Sequence, residues 1–457
     1  MADSRTSEKS RRIAGEKVDT KLLGEEIVLP FSGRIAKNRF MKAPMTERMC
    51  DWPENHQEDV TLRGIPSPAL VNLYKIWGEG EIGIIVGGNL MVNYTSIEAY
   101  GNPIFRDNHD GRLEQHKALV DASKAHGSLF IAQLSHVGRQ GGRALNPEPV
   151  SASDVQLMVK FAGNDFAKPR PLTKDEIKGV VEDFAESAFW CWKAGADGVQ
   201  VHCAHGYLLA QFISPTTNKR IDEYGGSLEN RSRIVFEIVD EIREKVPDKT
   251  FSVSVKLNSV EFQDGGITTE DFQDLCMKLE RYEVDFVDLS GGTFESRAFK
   301  HAKESTQKKR EAYFIEFAEM IRPKLKKTKV FVTGGFRTAS GMLHAIESNA
   351  CDGVGIGRPL AAEPYLCKEL LEGKVTGALD TCIPMNMTTG SSGLQLHQVG
   401  KNKEAISDYS VPEEVERYKE AWEKQNKKVT AMLPKVIESE IPSWLEAKSG
   451  FEYLKVC

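Results

Sequence analysis

The chain has 457 residues, of which 40% are hydrophobic and 28% are charged, and its formal net charge is −6. This length is enough for one large domain or two ordinary ones. The mildly negative charge gives no general electrostatic reason to expect nucleic-acid binding, and the absence of a charge-free apolar run of about 20 residues argues against a membrane span.

Residues 1–22 are polar and lack an apolar core, so they do not have the composition of a secretory signal and predict a disordered leader. The eight cysteines are scattered and form no CxxC pair. This spacing indicates neither a zinc site nor an iron–sulfur cluster. We therefore predict reduced thiols in an intracellular, cytoplasmic protein.

The segment "EEIVLPFSGRIAKN" predicts a small hairpin, and eight short apolar runs follow it. Several of these runs are continuously apolar, as is typical of parallel strands buried on both faces. The predicted strands cover 38–45, 82–91, 128–136, 196–204, 251–259, 284–292, 329–335 and 351–358. The clearest amphipathic helices between them cover 110–126, 173–195, 227–246, 269–282, 311–326 and 338–348.

Eight strands that alternate with helices favour a (β/α)8 TIM barrel, with an open doubly wound sheet as the competing architecture. We place the barrel at residues 23–375 and expect the hairpin to cover its floor. Residues 376–457 form a partly helical C-terminal extension, with a helix from Pro412 to about Leu433 that Pro434 would stop.

The last two predicted strands end in "TGGF" and "GIGRP". Glycines allow backbone N–H groups to approach an anion, and Arg358 adds a bidentate cation. TIM barrels often bind phosphate at the loops after strands seven and eight, so a phosphorylated ligand is one interpretation and tight turns are the other. No GxGxxG motif follows a strand, which leaves a Rossmann-type nicotinamide site unsupported.

Two polar residues interrupt apolar strands. Gln133 ends an apolar run, and its carboxamide offers both a donor and an acceptor, as the pyrimidine edge of a flavin requires. Lys256 is expensive to bury without an anion nearby. It could be a Schiff-base nucleophile, as in an aldolase, or a cation beside an anionic cofactor. It could equally form a buried salt bridge with a neighbouring carboxylate.

The fourth predicted strand ends in "HCAHGY", which contains His202, His205 and Tyr207. The two histidines could ligate a metal, although no third ligand has a clear spacing. They could also be a satisfied polar strand end. Alternatively, two neighbouring donors could hold a carbonyl or oxyanion, with Tyr207 as a proton donor. The combination favours the third interpretation without deciding it.

These motifs together resemble a known family. "NRFMKAPMTE", "FIAQLSHVGRQ", "VHCAHGYLLAQFISPTTNKRIDEYGGSLENR", "VFVTGGFRT" and "DGVGIGRPLAAEP" are similar, in order, to segments of the Old Yellow Enzyme family. The likeness covers residues 25–372 and is closest to fungal-type members. It implies an FMN-containing barrel that takes electrons from NADH or NADPH and reduces the C=C bond of activated alkenes by a ping-pong reaction.

The resemblance also assigns roles. His202 and His205 would bind the substrate oxygen, and Tyr207 would supply the proton. Many relatives have arginine where this chain has lysine at the flavin. The positions expected to contact FMN are Pro44, Met45, Thr46, Gly88, Gln133, Lys256, Gly335, Gly357 and Arg358.

Several expectations about substrates and assembly accompany this prediction. We expect a small-molecule alkene as substrate, no nucleic-acid or membrane partner, and a homodimer as the candidate assembly. The long loop after strand three would line the substrate entrance with Phe161 and Phe166. The alternatives are an oxidase, isomerase or demethylase of the same family, and an FMN-binding barrel with degraded catalysis.

Overall fold

The computed structural model describes residues 11–53, 56, 58–159, 166–258, 265–290, 315 and 317–437, with side chains through residue 424. Fourteen strands lie in this part of the chain. In chain order β1 to β14 they are Ile27–Val28, Ile35–Ala36, Phe40–Lys42, Cys50–Asp51, Ile65–Pro66, Ile84–Met91, Leu129–Ser135, Val150–Ser151, Arg170–Pro171, Gly198–Cys203, Ser252–Asn258, Phe286–Ser290, Lys329–Thr333 and Gly353–Ile356.

Eight of these strands form a closed parallel barrel in the order β3, β6, β7, β10, β11, β12, β13 and β14. The barrel closes where β14 pairs with β3, with Val354 opposite Phe40. This pairing confirms the predicted (β/α)8 barrel and excludes the open sheet. All eight predicted barrel strands are present, although the last residues of the segments 251–259 and 284–292 lie outside the described part of the chain.

Helices surround the barrel and continue beyond it. As α1 to α12 they are Pro68–Glu79, Arg112–Lys124, Lys174–Lys193, Leu208–Ile213, Leu228–Arg231, Arg233–Lys245, Thr269–Arg281, Ala339–Glu347, Pro359–Ala362, Leu366–Leu371, Thr388–Gly400 and Pro412–Ile437. Residues 311–314 and 316 of the predicted helix 311–326 lie outside the described part of the chain, and residues 317–321 are helical as predicted. The helix α1 was not predicted, although Ser67 caps it and Pro68 occupies its first turn, a recognisable start signal.

The predicted hairpin is confirmed, and it covers the barrel floor. Strands β1 and β2 pair antiparallel, and backbone N–H groups in their connecting turn donate to Asp285 at the start of β12. Apolar hairpin side chains pack directly against residues from the lower ends of the barrel strands. This cluster consists of Ile27, Leu29, Ala36, Met41, Ile84, Val86, Leu129, Ile131, Phe286 and Phe331.

The interior of the barrel changes from apolar to polar along its axis. Successive side chains of a strand point to opposite faces. On β11, Val253, Val255 and Leu257 belong to the large apolar cluster between strands and helices, so Lys256 faces the lumen. The lumen is apolar at the hairpin-covered floor, and its buried polar groups lie towards the C-terminal strand ends. This arrangement places polar chemistry where TIM barrels carry their active sites.

Both terminal segments contact the barrel. Residues 11–22, expected to be disordered, instead pack along it: Arg12 bridges to Leu379 and pairs with Glu363. The helix α11 packs against α1, and Asn72 donates to the carbonyl of Gly400 at 2.9 Å. The helix α12 continues through Pro434 to Ile437, so the predicted stop at Pro434 is wrong. None of the described helices is long and apolar enough to cross a membrane.

Candidate active site

His202 is the last inward-facing residue of β10, and it is a neutral hydrogen-bond donor. The backbone N–H of Ala204 donates to its Nδ1 at 3.2 Å, so the neutral ring carries its proton on Nε2. Burial lowers the pKa of His202 well below its ordinary value, and electrostatic interactions with His205 and Lys256 lower it further. The ring therefore presents an Nε2–H donor without a net charge.

His205 follows in a strained turn that its neighbours hold. Its backbone has φ +58°, and Gly206 has φ +78°, a conformation that side-chain-bearing residues rarely adopt. The N–H of His205 donates to Asn258 at 3.0 Å, and its carbonyl accepts from Gln140. Burial, followed by the charge of Lys256, lowers the pKa of His205 to about 3. The two backbone hydrogen bonds hold this strained turn in place, and the turn in turn fixes the orientation of a neutral imidazole.

The His205 Nε2 lies 3.0 Å from the hydroxyl oxygen of Ser290 on β12. When Ser290 donates in this contact, the proton of the neutral ring resides on Nδ1, which becomes a second donor.

Tyr207 completes a cluster of three rings. Its ring centroid lies 4.8 Å from that of His202, and the two imidazole centroids are 5.3 Å apart in an edge-on arrangement. Burial raises the pKa of Tyr207 well above 10, and the carboxylate of Glu98 raises it further. The phenol therefore keeps its proton at neutral pH. The three residues singled out from "HCAHGY" do come together.

A carboxamide pair lies beside this cluster. Gln133 on β7 and Gln200 on β10 are opposite in the strand register, and Gln133 Nε2 donates to Gln200 Oε1 at 2.8 Å. Gln200 Nε2 is buried and has no hydrogen-bond partner among the described residues. Such an orphaned donor is costly inside a protein unless a ligand or water satisfies it.

Lys256 forms the buried salt bridge that was one of its three interpretations. Its Nζ lies 2.5 Å from Asp288 Oδ2 on β12, and Thr333 donates to the other carboxylate oxygen at 2.7 Å. Both charged side chains are almost fully buried. The pair is positioned by neighbouring strands, since Lys256 and Asp288 face each other in register.

The segment after β3 runs along the opening of the barrel. Pro44, Met45 and Thr46 are half-buried, between fully buried neighbours on either side. Gly88 approaches them so closely that a Cβ atom there would lie 2.0 Å from the carbonyl oxygen of Met45. Only glycine fits this position. Its N–H donates to the Tyr74 hydroxyl.

The final two strand ends contain glycines, two of them in unusual backbone conformations. Gly334 and Gly335 have φ angles of +151° and +80°, which favour glycine. A Cβ atom at Gly357 would be in ordinary van der Waals contact with Ala43, at 3.9 Å, so this position is not crowded. The Arg358 guanidinium contacts the sulfur of Met385 in the extension. The two glycine-containing ends lie side by side, because β13 and β14 pair along their length.

The metal interpretation of the histidine pair has no support in the described residues. Across them, no group of three or more histidine, cysteine, aspartate or glutamate side chains is arranged to hold a metal ion.

Comparison with known proteins identifies the family. The model of the NADH:flavin oxidoreductase / NADH oxidase family matches residues 32–376. The chain belongs to this family. It is 43% identical over 400 residues to the NADH-dependent flavin oxidoreductase nadA of Aspergillus parasiticus, covering 86% of this chain and 89% of that protein. It is 34% identical to the NADH-dependent flavin oxidoreductase iccE of Talaromyces variabilis, covering 65% and 77%.

Solved structures agree on the fold. Morphinone reductase in complex with tetrahydroNAD has a TM-score of 0.62 at 25% identity, covering 78% of this chain and 92% of that one. An old yellow enzyme homologue from Zymomonas mobilis has a TM-score of 0.64 at 23% identity, covering 80% and 98%. 2-Naphthoyl-CoA reductase reaches 0.70 at 24% identity, although this chain spans only 58% of its length. The Old Yellow Enzyme resemblance is therefore confirmed.

The family assignment makes this protein a flavin oxidoreductase with FMN as cofactor and a reduced nicotinamide as co-substrate. The residues present fit that cofactor. The unpartnered Gln200 amide supplies a buried donor for the polar edge of the ring, and the close approach of Gly88 to Met45 keeps side-chain atoms of residue 88 out of this segment. The aldolase interpretation of Lys256 is not supported by this membership.

Several residues of the site were not predicted. Gln200 had a usable signal, because it stands two residues before His202 and so shares its face of the strand. Asp288 and Ser290 face the lumen by the same rule. Glu98, which contacts Tyr207, carried no such signal because it lies in an irregular loop after β6. Of the two loop phenylalanines expected at the entrance, Phe166 is buried and Phe161 lies outside the described residues.

Proposed function

We propose that the protein reduces the C=C bond of α,β-unsaturated carbonyl compounds in a ping-pong reaction. The observation that carries the proposal is the cluster of His202, His205 and Tyr207, which joins two neutral imidazoles to a protonated phenol at one end of the barrel. Bound FMN supplies the hydride that it has accepted from NADH or NADPH. The nicotinamide and the alkene would use the same position in turn.

The two histidines act on the substrate oxygen. His202 Nε2–H and a ring N–H of His205 donate hydrogen bonds to the carbonyl oxygen, and these bonds strengthen as negative charge develops on it. Donors that are preorganised for developing charge stabilise the transition state more than the ground state. Their neutrality is useful, because a charged imidazolium beside Lys256 would add a further buried cation.

Tyr207 donates the proton to the α-carbon while the hydride reaches the β-carbon. Burial keeps its phenol protonated before the reaction. By resemblance to the family, Pro44, Met45, Thr46, Gly88 and Gln133 contact the ring system of the flavin. The remaining proposed contacts are those of Lys256 near the ring and of Gly335, Gly357 and Arg358 with the phosphate.

Stopped-flow spectroscopy of the flavin tests this proposal in two halves. NADH or NADPH should bleach the yellow protein, and cyclohexenone should restore the colour. His202→Ala should slow reoxidation about 10²- to 10³-fold, as expected for loss of an oxyanion donor. Bleaching by the nicotinamide should remain within about threefold, because no enolate-like negative charge develops on the nicotinamide carbonyl oxygen in that half-reaction.

A matched control is His116→Ala, since His116 is also a buried neutral histidine but stacks on Phe105 outside the site. It should leave both rates close to those of the unaltered protein. Reoxidation by oxygen alone, with no effect of any unsaturated carbonyl compound, would instead support the oxidase alternative.

A further inference from the structure

The loop after β6 brings Glu98 to the centre of a hydrogen-bond network at the proposed proton donor. The hydroxyl of Thr46 donates to Glu98 Oε2 at 2.7 Å. The side-chain amide of Asn89 donates to the same oxygen at 2.5 Å. Tyr207 hydrogen-bonds to both Glu98 and Asn89. One carboxylate therefore joins the segment after β3, the end of β6 and the beginning of α4.

This arrangement is built into the strand pairing. The register between β6 and β7 shifts between Gly87 and Leu90, and Asn89 has φ +40°. A bulge of this kind redirects a side chain relative to a regular strand. Here it turns the Asn89 amide towards Glu98. The network thus depends on backbone geometry that a regular strand would not provide.

The Tyr207 phenol and the Glu98 carboxyl group differ in their access to solvent. Tyr207 is 6% exposed, whereas Glu98 is only half-buried. A proton that Tyr207 gives to a substrate must be replaced, and a buried phenolate has little access to water. Glu98 contacts the phenol and keeps part of its own surface accessible to solvent.

Resting on the function proposed above, we propose that Glu98 is the positioning residue that returns a proton from solvent to Tyr207 in each turnover. As the alkene π bond breaks, hydride forms one C–H bond and the Tyr207 proton forms the other. The Glu98 carboxylate then takes a proton from solvent and passes it to the resulting phenolate, which returns both groups to their starting protonation states. Each turnover consumes one solvent proton.

The direction of transfer agrees with the basicity of the groups. Burial first, and then Glu98, raise the pKa of Tyr207, so its phenolate is a stronger base than a carboxylate. The charged and titratable groups that act on the phenol are Glu98, Arg48 and the neighbouring His202 ring. The donors from Thr46 and Asn89 hold the carboxylate in place between transfers.

The same network affects Thr46, the residue expected near the flavin carbonyl region. Its hydroxyl proton is directed to Glu98, and a hydroxyl has only one proton to donate. Thr46 can then only accept a hydrogen bond from a neighbouring group. Replacement of Glu98 should release this proton as well as interrupt the relay.

Glu98→Gln is the decisive variant, because it preserves shape and one acceptor oxygen but cannot carry an acidic proton. Reoxidation of the NADH-reduced holoenzyme by cyclohexenone should slow at least about tenfold, within the range for loss of general acid catalysis. Its solvent deuterium isotope effect should increase. Flavin reduction by NADH should stay within about threefold, since it does not use the Tyr207 proton.

The matched control is Asp107→Asn. Asp107 accepts two contacts from the Tyr94 hydroxyl, at 2.9 and 2.8 Å, so it forms another phenol–carboxylate pair in the same part of the chain. Its replacement should change neither half-reaction. Glu98→Asp, with a shorter acid, serves as the second variant if Glu98→Gln does not fold, and should retain more reoxidation activity than Glu98→Ala.

A second readout does not require catalysis. Tyrosinate absorbance in the flavin-free protein, with the titration of Tyr207→Phe subtracted, isolates the Tyr207 phenol. Glu98→Gln should lower its pKa, because a neighbouring negative charge is removed. Added formate should also restore reoxidation in Glu98→Ala but not in Glu98→Ala/Tyr207→Phe.

The outcomes separate the two proposals. If cyclohexenone fails to reoxidise the unaltered enzyme, the proposed function fails, while the phenol titration still tests the contact of Glu98 with Tyr207. If the unaltered enzyme reacts and Glu98→Gln matches it in rate, isotope effect and phenol titration, the relay is overturned. A slower reoxidation with an unchanged isotope effect and no rescue by formate would also overturn it.

Discussion

Two buried lysines of this barrel form ion pairs of the same chemistry in different surroundings. Lys42 on β3 pairs with Glu47 at 2.9 Å, and Lys256 on β11 pairs with Asp288 at 2.5 Å. The Lys42 ammonium lies outside the lumen, 4.3 Å from the ring centroid of Trp77 on α1. Lys256 points into the lumen, where its charge lowers the pKa of both histidines.

The surroundings of the two pairs differ in how completely they satisfy polar groups. Lys42 also donates to the carbonyl of Val86, and Glu47 accepts from Tyr74 as well. The lumen near Lys256 instead contains the unpartnered amide of Gln200. Burial of a charge therefore does not by itself mark a functional site, whereas a charge beside a polar group that a ligand can satisfy is a candidate for one.

The largest effect should come from removal of either carboxylate. Glu47→Ala and Asp288→Ala each leave a buried ammonium without its counter-ion, so the free energy of unfolding should fall by about 3–5 kcal/mol. Urea unfolding monitored by circular dichroism measures this. Asp121→Ala breaks the exposed Lys117 pair and should cost less than about 1 kcal/mol. Losses no larger than this control would show that the buried pairs do not stabilise the fold.

Tyr74→Phe tests whether the Lys42–Glu47 pair affects the candidate flavin site through Tyr74. The variant removes the hydroxyl that donates to Glu47 and accepts from the Gly88 N–H. Leaving that buried N–H unsatisfied should lower the free energy of unfolding by about 1–3 kcal/mol and weaken FMN retention. Tyr365→Phe, in which an exposed hydroxyl contacts Glu79, is the control. If FMN affinity is unchanged in Tyr74→Phe, the hydrogen bonds around Lys42 and Glu47 stabilise the fold but do not affect cofactor binding.

Lys256→Met and Lys42→Met separate the pairs by their effect on electron transfer. Loss of the lumen cation should slow flavin reduction by NADH about tenfold, because positive charge near the proposed flavin site stabilises the charge that accumulates there. Lys42→Met should change that rate by less than about threefold, since its ammonium faces the helix layer. Stopped-flow reduction measures both. If both variants slow flavin reduction equally, the position of Lys256 in the lumen gives it no special role in electron transfer.

The smallest effect concerns proton binding by His205. Lys256→Met should raise the pKa of this ring above about 3, but leave it below the ordinary value because burial is the larger cause. Histidine ring-proton shifts in NMR titrations would report the change, and Lys42→Met should not produce it. If Lys256→Met leaves the pKa of His205 unchanged, the Lys256 charge does not influence proton binding by this ring.

The same ring contributes to stability against acid. Its folded-state pKa lies below its unfolded value, so its contribution is complete above about pH 6.5 and is lost as the pH falls towards the folded pKa. The loss is about 1.4 kcal/mol per pH unit. In Lys256→Met the loss should stop at a higher pH, which urea unfolding at a series of pH values would detect.

The sequence by itself predicted the eight strands, the hairpin and the three ring residues that meet at the candidate site, and it favoured the barrel over an open sheet. Apolar runs predict strands through local periodicity, and motifs such as "HCAHGY" keep their residues within one strand end. The same local information predicted that the last helix stops at Pro434, whereas α12 continues to Ile437. It also predicted a disordered leader whose residues 11–22 pack against the barrel.

Only the tertiary structure decided the partners of these residues. Lys256 had three interpretations until the strand register placed Asp288 beside it, and Gln133 acquired Gln200 in the same way. Glu98 reached Tyr207 through a loop and a bulge that no periodic pattern describes. Residue pattern specifies which face of an element a side chain occupies, whereas contacts between distant segments depend on register and closure of the whole barrel.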